Sequence, residues 1–207
     1  MIELLVCEES IGEAASDQTR FGGRPCTPYG ELDWPTCKAC GGNMQFLGQL
    51  QCEEGDRTLL LLFMCQNQPG LCDEWDPDSG GNRVILVRAG NLEVTEVPAE
   101  GDTVRHTLYG ARIEPFDAAN YDEARVAWAS AAGKSPRQVL GQLKGHPSWI
   151  QGDETPTCAS CGQRMTLAAQ LEQGPDWKTE MNFGGGGCAY VFQCGCFSRT
   201  TKFLWQC

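Results

Sequence analysis

Residues 36–50 read TCKACGGNMQFLGQL, and residues 157–171 read TCASCGQRMTLAAQL. Seven of the fifteen positions are identical at a fixed offset of 121, including both cysteines, the glycine after them, the methionine and the Gln-Leu pair. The match extends beyond these stretches. Phe63 and Cys65 in LLFMC correspond to Phe192 and Cys194 in YVFQC, and Gly23-Arg24-Pro25 corresponds to Gly145-His146-Pro147. Parallel order in two copies is the mark of a duplicated supersecondary unit. Each copy runs from a Gly-Pro turn through a C-x-x-C-G knuckle and two strands to closing cysteines.

The two-residue gap of Cys37-Lys-Ala-Cys40 and of Cys158-Ala-Ser-Cys161 lets both thiolates reach one metal ion about 2.3 Å away. The glycine that follows permits the tight turn whose N–H groups point at sulfur. Two further ligands complete each set. The first site is expected from Cys37, Cys40, Cys65 and Cys72, and the second from Cys158, Cys161, Cys194 and Cys196. Cys188 and Cys207 remain alternatives to Cys196, because a C-x-C pair is tight. Both sites are read as structural, closed and tetrahedral, each holding one zinc ion. Two such ions with four thiolates each carry the formal charge from −11 to about −15.

The remaining composition agrees with a reduced, metal-binding chain. There are 13 cysteines in 207 residues. The opening MIELLVCEES lacks the basic and small-residue features of a secretory signal. A cytoplasmic, reducing location is therefore expected, where such a count signals metal rather than disulfides. Cys7, Cys26 and Cys52 are read as small buried apolar residues. No apolar run approaches the roughly 20 residues that a membrane helix needs.

The pattern predicts a β-rich α+β fold. Met44, Phe46, Gly48, Leu50 and Cys52 alternate with Gln45, Leu47, Gln49 and Gln51, and Met165, Leu167, Ala169 and Leu171 repeat that phase. Further strands are expected at 58–65, 82–88, 92–97, 189–194 and 200–205. One helix is expected after Asn120, with Glu123 completing a capping box, an apolar stripe of Tyr121, Ala124, Trp128 and Ala132, and Gly133 as stop. It is expected to pack between the halves. A second short helical turn is expected at Ser135-Pro136. Residues 98–119 read as an irregular connection, residues 183–188 as a flexible glycine-rich loop, and Trp34 and Trp149 as core plugs. The division of the chain is expected at 119/120, with one compact domain overall as the alternative.

Charge is unevenly spread. Residues 1–120 hold 20 acidic and 8 basic side chains, whereas residues 121–207 hold 7 and 8. This disfavours nucleic acid, which needs cations to replace phosphate counterions, and suits a basic protein partner. Solubility alone is the other account of such a surface. The segment Asp73-Glu74-Trp75-Asp76-Pro77-Asp78 offers four carboxylates around an indole, immediately after ligand Cys72. Carboxylates would pair with arginine and the indole would stack on it. No catalytic residue is expected. Neither His106 nor His146 lies in a zinc-protease motif, and nucleophile-elbow and P-loop patterns are absent. The competing classes are an enzyme with an unrecognised carboxylate site and a zinc-ribbon nucleic-acid binder built on the less acidic second half.

The segments GGRP, WPTCKACG, MQFLGQL and LFMC resemble the amino-terminal half of the programmed-cell-death-2 family. GHPSWIQ and the terminal KFLWQC resemble the YwqG family of bacterial proteins. The first resemblance implies a dedicated chaperone that holds a basic ribosomal protein. The second implies a bacterial protein of a group that includes suspected immunity proteins against secreted toxins. Many YwqG-like sequences lack the cysteines, so the metal rests on the spacing alone. Neither resemblance implies an enzyme, and neither carries a ligand-contact residue onto this sequence.

Overall fold

The computed structural model describes residues 1–8, 17–51, 58–88 and 90–207. Cys52 lies outside them. The described elements are β1 (Ile2–Glu8), β2 (Arg20–Phe21), β3 (Cys26–Pro28), β4 (Gln45–Gln51), β5 (Thr58–Met64), β6 (Asn82–Arg88), β7 (Leu92–Val94), β8 (Tyr109–Phe116), α1 (Tyr121–Ala132), β9 (Val139–Leu143), β10 (Thr166–Leu171), β11 (Cys188–Gln193) and β12 (Thr201–Gln206). A single 3-10 turn at Pro136–Gln138 stands where Ser135-Pro136 predicted one.

The chain divides into two compact units. One is Glu8–Gly110, here the N-terminal unit; the other joins Met1–Cys7 to Ala111–Cys207, here the C-terminal unit. The expected division at 119/120 thus moves to 110/111, and the first strand goes with the second half. The reason is pairing: β1 lies antiparallel to β9, with Glu3 opposite Leu143.

The duplication is visible in strand order. The N-terminal unit runs β2-β4-β5-β6, and the C-terminal unit runs β9-β10-β11-β12. Each is an antiparallel meander in which the knuckle lies between the first two strands. Each first strand has a further neighbour, the start of β8 beside β2 and β1 beside β9. In the N-terminal unit β3 and β7 form a separate two-stranded ribbon.

Period-two alternation placed Phe46 and Leu50 on one face, and this is corrected by a bulge. Phe46 pairs with Phe63, but Gly48 pairs with Leu62 and Leu50 with Leu60. The extra residue reverses the phase, so Phe46 and Leu50 lie on opposite faces. The second copy has its bulge 121 residues later, between Leu167 and Ala169. Both bulges turn a fully buried glutamine, Gln49 or Gln170, onto the face that carries the knuckle.

That face holds each unit's core. In the N-terminal unit Met44, Phe46, Leu59, Leu61 and Phe63 pack with Cys37, Cys65 and Cys72. In the C-terminal unit Met165, Leu167, Tyr190, Phe192 and Leu204 pack with Cys158, Cys188 and Cys194. Trp34 and Trp149 cover these clusters as expected. Trp34 stands edge-on to Phe63 with centroids 5.2 Å apart, and Trp149 lies 4.4 Å from Tyr190. Cys7 and Cys26 are buried and uninvolved in the metal groups.

The helix α1 is capped as the sequence predicts. Asn120 accepts the Glu123 N–H at 3.0 Å, and Gly133 closes the helix in the left-handed region at φ 61°. Its buried residues Tyr121, Ala124, Trp128 and Ala129 pack on Leu4, Val6 and Val139 within the C-terminal unit. Ala132 is exposed, and Ala129 fills the stripe instead.

Candidate metal centres

Each centre begins with a knuckle hairpin whose hydrogen bonds recur at the same offset. Cys37 donates to Gly42 and Gly41 donates to Cys37; Cys158 donates to Gln163 and Gly162 donates to Cys158. Met44 and Met165 close the hairpins by donating to Pro35 and Pro156. Both glycines after the second cysteine have positive φ, 73° at Gly41 and 71° at Gly162, which a side chain at those positions would strain.

The folded chain brings together the two predicted sets of four. The sulfurs of Cys37, Cys40, Cys65 and Cys72 all lie within 4.8 Å of one another, as do those of Cys158, Cys161, Cys194 and Cys196. Sulfur separations of 3.7 Å for Cys40–Cys65, 3.5 Å for Cys161–Cys194 and 3.8 Å for Cys158–Cys196 exclude disulfides at these pairs, since an S–S bond is about 2.05 Å. Four thiolates about 2.3 Å from a tetrahedral ion stand about 3.8 Å apart. The donor set and its spacing therefore fit a closed four-thiolate metal centre in both units.

Neither alternative ligand joins the second centre. The Cys188 thiol donates instead to Glu172 Oε1 at 3.6 Å, and burial pushes it up to about 12. Cys207 lies against Gly184, where an added Cβ would sit 2.5 Å from its sulfur. The glycine-rich stretch is held at its ends, since at Gly187 a Cβ would fall 2.1 Å from the Phe183 carbonyl oxygen, while Gly185 and Gly186 between them have open space around them.

Polar hydrogens converge on the sulfurs. Asn67 Nδ2 reaches Cys65 Sγ at 3.4 Å and Cys40 Sγ at 3.7 Å. Cys196 N–H reaches Cys194 Sγ at 3.5 Å, and the Ser198 hydroxyl lies 2.9 Å from Cys196 Sγ. The thiols of each centre are pulled apart in acidity. The Gly42 N–H lowers Cys40 to about 7, while burial raises Cys65 and Cys72. In the second centre burial opposes ionisation of Cys158, but the Cys161 N–H and the Thr200 hydroxyl lower it to about 5. The Cys196 N–H favours ionised Cys194, yet its sulfur neighbours and burial hold it at about 12. Four like charges at these distances do not ionise together without a cation. A divalent ion held by the four thiolates would supply it.

Sequence reasoning missed the device that locks each Gly-Pro turn onto its sheet. Gln49 Oε1 accepts the N–H of Cys26, the residue after Pro25, at 3.2 Å. Gln170 Oε1 accepts the N–H of Ser148, the residue after Pro147, at 2.8 Å. Their partners across the sheet also correspond. Arg20 opposes Gln49 and donates to the Arg24 carbonyl; Gln142 opposes Gln170 and donates to the His146 carbonyl at 2.9 Å. The shared Gln-Leu of the repeats was the available signal.

The acidic segment keeps only part of its expected role. Asp73, Trp75, Asp76 and Asp78 are exposed. Glu74 is corrected: it is 1% exposed and takes the Gly70 N–H at 2.5 Å, so it braces the loop from inside. Asp76 Oδ1 receives the N–H groups of Asp78 and Ser79 at 2.7 and 3.1 Å, which fixes the turn. His106 and His146 are both exposed and stand outside the two cysteine groups.

Two tandem β units, each built on a four-cysteine centre, are the class of protein that this geometry defines. The chain belongs to the family described as Domain of unknown function (DUF1963), which matches residues 19–207. The uncharacterized protein YpfL of Salmonella typhimurium is 39% identical over 90 residues, covering 43% of this chain and 20% of that protein. The chain thus spans about a fifth of the length of that curated relative. No solved structure matches it.

Proposed function

We propose that the chain is a non-catalytic binder of a basic protein client, held in shape by two structural zinc ions and working in the reducing cytoplasm. The observation that carries this reading is the division of charge between the units. The N-terminal unit holds 17 acidic and 7 basic side chains, net −10, and the C-terminal unit is net −1. A charge field confined to one unit steers a cationic partner to it. Asp73, Asp76 and Asp78 project from a loop anchored at Cys72, with Trp75 39% exposed among them. Zinc suits the donor set because soft thiolates and a closed tetrahedron favour it. The resemblance to the programmed-cell-death-2 and YwqG families adds the two roles in which such a client is met, ribosomal-protein chaperone or toxin immunity.

The test is capture from the native host's lysate on the immobilised, zinc-loaded chain, at low and high salt. The expected result is a stoichiometric basic protein that is lost as salt rises and weakened by Asp73→Lys with Asp76→Lys and Asp78→Lys. An empty eluate at both salts contradicts the reading.

A second reading has one observation in its favour. Phe197, beside ligand Cys196, is completely exposed, and Arg199 follows it two residues later. An aromatic platform next to a cation is how single-stranded nucleic acid is held. Labelled single strands that fail to shift with the protein at low salt remove this reading.

A further inference from the structure

The N-terminal unit has a cavity of about 500 Å³ between residues 31–36 and β6, within the size range of ligand sites. Its apolar lining is Leu32, Trp34 and Ile85, and its charged lining is Glu31, Asp33 and Arg83. The walls are fixed before any ligand arrives. The Trp34 indole donates to the Met44 carbonyl at 2.9 Å. Met44 N–H returns to the Pro35 carbonyl at 2.9 Å. Thr36 bridges to Asn43 immediately before ligand Cys37, and Ile85 is held opposite Leu61 in the sheet. β6 is the terminal strand of its meander.

The duplication supplies an internal control. Residues 31–36 read ELDWPT, and at the repeat offset residues 152–157 read GDETPT. In the C-terminal unit Gly152 stands for Glu31, Glu154 stands for Asp33, and the carboxylates of the stretch are consumed locally. Asp153 takes Arg164 at 2.6 Å and the Thr155 hydroxyl at 2.7 Å. Glu154 takes Gln206 of β12 at 2.9 Å. The apolar residues have gone as well, with Asp153 for Leu32 and Thr155 for Trp34. In the N-terminal unit, among the described residues, Glu31 and Asp33 carboxylates and the Arg83 guanidinium make no ion pair or side-chain hydrogen bond. One copy has closed this place with its own polar contacts. The other keeps an apolar floor, two exposed carboxylates and an open side.

We infer that this groove is where an extended segment of the basic client docks, with arginine or lysine side chains on Glu31 and Asp33 and an apolar side chain between them against Leu32, Trp34 and Ile85. The inference rests on the basic-client reading and gives this groove a contact with one extended segment of the client, in addition to the contact of the 73–78 loop with the rest of it. An alternation of cationic and apolar side chains suits the groove because both kinds of lining face one space. The two carboxylates outnumber Arg83, so the net field selects a cation. Apolar contacts then set how long the segment stays.

The probe is an acetylated, amidated arginine–leucine octapeptide of strict alternation, compared with its glutamate–leucine counterpart. Each is titrated into the zinc-loaded full chain, with backbone and indole N–H signals followed by NMR. The expected result is saturable shifts at Leu32, Trp34 and Ile85 with the arginine peptide alone. Glu31→Lys with Asp33→Lys weakens its binding by at least about tenfold. Reversal of Asp73, Asp76 and Asp78 leaves it within about twofold. Both variants must keep two metals per chain, which shows that they fold. Shifts confined to residues 73–78 overturn the groove and leave the basic-client reading standing, as does a client captured from lysate that the Glu31/Asp33 variant still retains. Equal binding of the glutamate peptide overturns the charge selection. No arginine-peptide binding together with an empty lysate capture overturns both.

Discussion

Gln49 and Gln170 show how much of this fold depends on single polar side chains. Each is fully buried and each uses its carboxamide oxygen to satisfy the first N–H after a Gly-Pro turn. A leucine in the same place leaves that N–H buried and unpaired, which costs about 1–3 kcal/mol. Gln170→Leu is therefore expected to lower the unfolding free energy by that amount, read as a lower denaturant midpoint, without changing metal content. An unchanged midpoint contradicts the role. Cys40 offers a second test at this scale. In the metal-stripped protein its thiol, lowered to about 7, is half ionised near neutral pH. Alkylation of Cys40 should rise through that pH, while Cys188, pushed up to about 12, stays unreactive. Metal should protect Cys40 throughout. If protection is absent in the metal-loaded protein, Cys40 is not a ligand.

Among the elements, the knuckles were legible in the sequence and several strands were not. A C-x-x-C-G hairpin is local, so its two ligands and turn follow from five consecutive residues and its hydrogen bonds from ten. The helix α1 was legible for the same reason, since capping box and stop signal lie within its ends. Removing the cap with Asn120→Ala is expected to cost about 1 kcal/mol, read by thermal or chemical unfolding, and a stability equal to the parent's contradicts the cap. β8 was read as irregular because only its first residues, Tyr109 and Gly110, are buried, while Pro115 breaks the strand pattern. β9 hid its character behind Gln142 and Gly141. That glutamine is buried only because Gln170 and His146 meet it. The glycine is required because a Cβ there would fall 2.0 Å from the Gln170 carbonyl oxygen. Both facts belong to tertiary contacts that no local window holds. The bulges were hidden for a related reason: the strand phase reads smoothly along β4, and only pairing with β5 shows the extra residue.

For the whole molecule, duplication and charge define the account. Two copies keep the same knuckle, bulge, glutamine and tryptophan cover, yet nearly all the net negative charge lies in one unit. The conserved frame is thus separable from the surface that would meet a client. Raising ionic strength is expected to weaken client binding while leaving metal content untouched, because screening reaches exposed charges and leaves direct thiolate–metal coordination intact. Equal loss of both under salt contradicts that separation. Structural zinc contributes roughly 10–16 kcal/mol of apparent binding free energy in small domains, so zinc in the two proposed centres would make the frame itself depend on the ions. The most direct measurement is native mass spectrometry of the freshly purified chain, beside Cys37→Ser and Cys158→Ser. Two zinc ions in the parent and one in each variant are predicted. A parent with fewer than about one and a half metals per chain, or a variant that keeps two, contradicts a pair of independent four-cysteine centres.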